Sequence, residues 1–165
     1  MKRVLLGVMA FLVFTAVGAF AKSYKFKSGN LQVNIPSDWE VENTSAKLSA
    51  YSPGDVALFF IEEFPDAADA EDEDAGKQLI LDYITDDIGS DYEAGEAGFD
   101  TVGGMDIYYV DYTYDDESYG TAVCTSFVIM AGDTYSIVTI DVLEDGYDEY
   151  EAIMDEIVSS LKKIK

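Results

Sequence analysis

The sequence predicts an α+β fold, a mainly antiparallel β-sheet flanked by two helices. Three observations carry this. The early chain has short runs of alternating apolar and polar residues bounded by turn chemistry. Three long β-rich runs, Met105 to Tyr114, Thr121 to Met130 and Tyr135 to Leu143, are joined by connections short enough for hairpins. Two further segments carry apolar residues at helical spacing, one mid-chain and one at the end.

Taken in order, the chain opens with what reads as an export leader, residues 1–21. Lys2 and Arg3 precede an almost wholly apolar stretch from Val4 to Phe20, and Ala19-Phe20-Ala21 is the small-x-small pattern of a signal-peptidase site. The alternative of an uncleaved membrane anchor stays open, because the stretch nears the shortest spanning length, ~17 residues. No cysteine follows it, which argues against a lipoprotein anchor. Residues 22–165 are expected to form one domain, enough chain to bury a core. Its first part, "YKFKSGNLQVNIP", reads as two strands around Ser28-Gly29-Asn30, the second ended by Pro36, which cannot donate to a ladder. "SAKLSAYS" and "DVALFFIEEF" read as two more strands across the Pro53-Gly54-Asp55 turn, the latter continuously apolar like a strand buried on both faces.

A helix is expected from about Asp72 to Ile88. Acids crowd its start, where the helix dipole favours them, Leu79, Ile80, Tyr83, Ile84 and Ile88 form a stripe, and Gly89 is a natural stop. Gly95, Gly98, Gly103 and Gly104 match neither a dinucleotide loop nor a P-loop and are expected to turn the chain into a three-stranded meander. The closing segment predicts a second helix capped by Asp145. Tyr147, Tyr150, Ile153, Ile157 and Leu161 stripe it, and Lys162, Lys163 and Lys165 complement its carboxyl end. A sheet apolar on both faces needs two covers, and the helices supply them.

An opening "YKF…GNLQVNIPSDWEV", then strands, an acidic-start helix, an antiparallel meander and a closing amphipathic helix, resembles the Mog1/PsbP-like α/β/α sandwich. The likeness is to small exported bacterial proteins of DcrB or PsbP-related type, over Lys22 to Lys165. The resemblance implies accessory, binding or assembly roles and no shared catalytic set. Within it Trp39, the only tryptophan, follows Pro36 and a Ser37-Asp38 turn and is read as a structural plug closing one end of the sandwich.

Charge excludes several functions. Without Lys2 and Arg3 the chain holds eight lysines, no arginine and 33 acids, a net charge of about −25. Such a surface repels phosphate backbones and anionic headgroups, so nucleic acid and, after leader cleavage, membrane are excluded as partners. The chain has no histidine, which removes Ser-His and Cys-His nucleophile systems and histidine-bearing zinc sites. Cys124, the only cysteine, sits in the apolar run "TAVCTSFVIM" and reads as a buried thiol. The expected function is that of a non-enzymatic, cofactor-free domain binding a protein partner. Tyr108, Tyr112, Tyr114 and Tyr119 in "DIYYVDYTYDDESYG" are the candidate contact residues, since tyrosine suits interfaces. The alternative is a divalent-cation site, calcium above all, using Asp69, Asp72, Asp74, Asp82 and Asp86, with oxygen ligands of the kind calcium takes but no EF-hand spacing. A third reading is a minor hydrolase working with two carboxylates.

Overall fold

Alternation in the first two strands puts Phe26 on β1 (Ala21–Phe26) and Leu31, Val33 and Ile35 on β2 (Leu31–Pro36) on one buried side of an antiparallel hairpin. At its turn Asn30 takes φ +54°, a left-handed conformation that asparagine tolerates. The structure, a computed structural model, describes residues 21–69 and 73–164. Except for Ala21, which opens β1, the predicted leader lies outside the described residues, as do Asp72 and Lys165.

The remaining elements are β3 (Glu40–Asn43), β4 (Lys47–Tyr51), β5 (Ala57–Glu63), α1 (Glu73–Ile88), β6 (Tyr92–Val102), β7 (Met105–Asp116), β8 (Gly120–Met130), β9 (Tyr135–Leu143), α2 (Tyr147–Ser159) and β10 (Lys162–Lys163). Seven of the strands form one sheet in the order β3-β4-β5-β9-β8-β7-β6, with every pairing antiparallel. One face carries Phe59, Ile61, Phe127, Ile129, Val138 and Ile140. Against it pack Tyr150, Met154, Ile157 and Val158 of α2 and the apolar side of the β1–β2 hairpin. The opposite face carries Val110, Tyr112, Ala122 and Cys124 and is covered by Ile80 and Ile84 of α1. This is the α+β sandwich expected from the sequence.

Four local expectations are corrected. The meander has four strands, because β6 runs through Gly95 and Gly98; a register shift between Ala94 and Ala97 accommodates Gly95, Gly98 pairs regularly with Tyr109, and only Gly103 and Gly104 turn the chain. Gly103 has φ +59°, and a side chain there would strike the Leu161 carbonyl, so glycine lets this turn reach the end of α2. The amino-terminal hairpin stands apart from the main sheet, in a three-stranded sheet ordered β1-β2-β10. Lys162 and Lys163 do not extend α2. They form β10 opposite Gln32 and Leu31, because α2 ends at Ser159 and the Ser160 hydroxyl ties its last turn to β2, donating to the Ile157 carbonyl and accepting from the Asn34 N–H. Asp145 does not cap α2; it lies in a 3₁₀ turn, Glu144–Gly146, and Gly146 occupies the cap without a side-chain bond.

Pro36 ends β2, and the Trp39 N–H donates to its carbonyl at 3.3 Å. The indole is 6% exposed, with its ring centroid 6.1 Å from that of Tyr150, so it fills the space between the hairpin end and α2. Replacing Trp39 by alanine is expected to destabilise the protein by about 3–5 kcal/mol, read from urea-unfolding midpoints; a midpoint that hardly moves would contradict the plug role.

Candidate functional site

Strand register aligns Tyr112, Cys124, Asp141, Leu58 and Tyr51 in one row across the α1 face of the sheet. The next row holds Tyr114, Ala122 and Leu143, with Leu143 N–H donating to the Val56 carbonyl at 2.9 Å. Small Ala122 stands between two large neighbours and leaves space above it. An open pocket of about 360 Å³ results, with Val56, Leu58, Ala122 and Leu143 giving it apolar walls. Tyr51, Tyr114 and Tyr119 and the carboxylates of Asp55, Asp116 and Asp141 also line it. Gly54 and Asp55, at φ +75° and +55°, make the sharp turn that brings Asp55 there. Asp116 Oδ1 accepts from the N–H groups of Ser118 and Tyr119, which shapes the hairpin tip.

Asp141 dominates the electrostatics. Its Oδ1 is closed off from solvent and has no hydrogen-bond partner among the described residues, although the residue as a whole is partly exposed in the pocket. Burial holds its carboxyl up to about 6; hydrogen bonding with the Cys124 thiol opposes the rise, Asp87 near the end of α1 adds to it, and Lys47 opposes it. Lys47 is itself paired with Glu62, which also accepts from the Tyr83 hydroxyl at 3.2 Å. The Cys124 thiol is pushed up, first by burial and then by Asp141, and is 1% exposed. It is a packed hydrophobe, not a nucleophile. Tyr114 is pushed up by the same two causes. Phenols, acids and apolar walls equip the pocket to bind and orient, above all a group that carries positive charge.

The four tyrosines predicted as contacts separate. Tyr119 is 64% exposed at the pocket, and Tyr114 is half-buried beside it. Tyr108 lies elsewhere, half-buried, its ring 4.8 Å from that of exposed Phe99. Tyr112 is corrected: it is 5% exposed beneath α1, with its hydroxyl 3.4 Å from Ser126 Oγ, and it belongs to the core. Of the predicted cation ligands, Asp74, Asp82 and Asp86 are exposed on α1, and Gln78 donates to Asp82 at 2.8 Å. The side chain of Asp69, like Asp72, is outside the described residues. Among the described residues no three acids come together to hold a metal ion. The sequence reading missed Asp141, Tyr51 and Asp55. The signal for Asp141 was a lone acid inside the apolar run "SIVTIDVL".

On the other face Asp111 is 5% exposed and accepts from Thr125 Oγ1 at 2.6 Å. Burial raises its carboxyl to about 6, the Thr125 bond works against that rise, and Glu96 adds to it. Such a group keeps its proton in the native state at pH values where the unfolded chain has lost it. Native stability therefore falls as pH climbs from the ordinary carboxylate range through about 6. Asp111→Asn keeps an acceptor for Thr125 and cannot ionise. The variant is expected to exceed the wild type by on the order of 1–2 kcal/mol near pH 7 and to converge with it near pH 4, measured by urea unfolding at both pH values.

No family model matches the chain, and no curated protein does. Solved structures do. CyanoP, the cyanobacterial PsbP of Synechocystis, is 18% identical and superposes with a TM-score of 0.60 over 90% of this chain and 96% of its own. The Ran-binding protein Mog1p of Saccharomyces cerevisiae is 11% identical, with a TM-score of 0.58 over 88% of this chain and 96% of its own. A protein of Bacteroides thetaiotaomicron is 18% identical with a TM-score of 0.57, covering 87% of this chain, which spans about half (48%) of that longer protein. The fold is Mog1/PsbP-like. At such identities the likeness speaks for the fold alone.

Proposed function

We propose that this chain is an exported, non-catalytic domain that acts by binding a protein partner at the pocket end of the β7–β8 hairpin. The observation that carries the reading is Tyr119, 64% exposed where the hairpin tip meets an open pocket, with the partly buried rings of Tyr51 and Tyr114 in the same lining. Rigid aromatic groups around a concavity are what protein recognition uses to bury area at low entropic cost. The leader supports export, and among the described residues no helix is long and apolar enough to cross a membrane. The absence of histidine and the sealed, protonated Cys124 favour binding over catalysis. Mog1p, which shares the frame, is a Ran-binding protein. A strongly acidic surface selects for a basic partner and speeds its encounter.

A photo-crosslinking benzoylphenylalanine in place of Tyr119 is expected to give a discrete adduct in the source cells. The same group in place of Glu156, exposed on α2 across the molecule, is expected to give none. Adducts from position 156 alone, or from neither position, would defeat the proposal.

A further inference from the structure

We infer that the pocket beside Asp141 receives an alkylammonium group, the side-chain amine of a lysine or a free aliphatic amine. The inference rests on the docking reading above and names the chemistry of what docks. Four features converge on a positive charge carried on an apolar stem. The first is Asp141 itself, whose Oδ1 is buried without a partner while the nearby cation, Lys47, is engaged by Glu62. The second is the carboxyl end of α1, which has no basic residue in its last turn and carries Asp86 and Asp87 there, with Asp87 close enough to act on Asp141. Helix carbonyls and two acids at the same end leave a negative potential that a cation neutralises. The third is the set of phenol rings of Tyr51, Tyr114 and Tyr119, whose faces attract ammonium groups. The fourth is the apolar wall of Val56, Leu58, Ala122 and Leu143, which suits a methylene stem and offers a hard metal ion nothing.

Binding competes with protonation of Asp141. The groups acting on that carboxyl are Cys124 on β8, Asp87 on α1 and Lys47 on β4, and Asp141 in turn acts on Tyr112 and Tyr114 of β7 and Tyr83 of α1. The ligand's affinity is therefore expected to rise with pH across the range in which Asp141 ionises.

Calorimetric titration of the protein with Nα-acetyl-lysine methylamide and with putrescine tests this, with the uncharged isostere Nα-acetyl-norleucine methylamide as control. At least one amine is expected to saturate at millimolar concentration, about tenfold or more ahead of the norleucine compound, and to weaken by a similar factor from about pH 7.5 to about pH 5. Preference for the lysine compound assigns the amine to a protein side chain; preference for putrescine assigns it to a free amine. Asp141→Asn, which removes a buried charge and is expected to hold or raise the unfolding midpoint near pH 7, and Tyr119→Ala, at an exposed position and expected to leave that midpoint in place, are each expected to reduce amine affinity. Equal binding of the norleucine compound, no binding of either amine, or unchanged affinity in both variants overturns the inference. If the Tyr119 crosslink persists in that event, docking stands and only its ammonium chemistry falls.

Discussion

Strands β5, β9 and β8 lie in the middle of a seven-stranded sheet, and each must exclude water from both of its faces. Because side chains alternate strictly along a strand, each central strand sends half of its residues to one cover and half to the other, and a slip of one position would exchange the two sets. One face is closed by α2 together with the β1–β2 hairpin, and the other by α1. The covers are unequal. Two elements and a tryptophan complete the first, whereas a single helix serves the second, and the pocket opens on that thinner side near the end of α1.

Polar residues inside the sandwich mark the same asymmetry. On the α1 side, Tyr112, Ser126 and Thr139 form a chain of hydroxyls, with 2.9 Å between the last two, and Asp141 lies on the same strand face as Thr139. Hydroxyls can satisfy one another by rotating, so three of them bury cheaply. A carboxylate accepts only, and Asp141 has too few donors near it. Two buried carboxyls therefore play different parts: Asp111 has its threonine and is closed in, while Asp141 faces a space that something else can enter.

The overall architecture was legible because periodicity is a one-dimensional signal. Leu31, Val33 and Ile35 at period two, and Ile80 and Ile84 one turn apart, fall in the core as their spacing requires. Features that depend on long-range pairing were not legible. β6 carries glycines and acids that mark a loop by local preference, and its ladder with β7 overrides them. Lys162 and Lys163 look like a helix end until β2 supplies a strand to join. Tyr112 and Tyr114 share a strand face, and only the placement of α1 decides that one is sealed and the other lines an opening. The pocket draws on residues from five strands, a turn and a hairpin tip, and nothing local to any one of them announces their meeting. The lone acid of "SIVTIDVL" and two of the tyrosines in "DIYYVDYTYDDESYG", Tyr114 and Tyr119, were the traces it left in the sequence.

The three-stranded sheet joins pieces far apart along the chain: the Ser160 hydroxyl accepts from the Asn34 amide across 126 positions, and the Ile164 amide donates to the Asn30 carbonyl. A ribosome delivers the first hairpin long before its third strand exists. Until residues 147–163 emerge, the apolar underside of that hairpin lacks both β10 and α2, and closing so long a loop is entropically costly and slow. The nascent polypeptide thus stays unfinished until α2 and β10 have been made, and those late elements seal its native state.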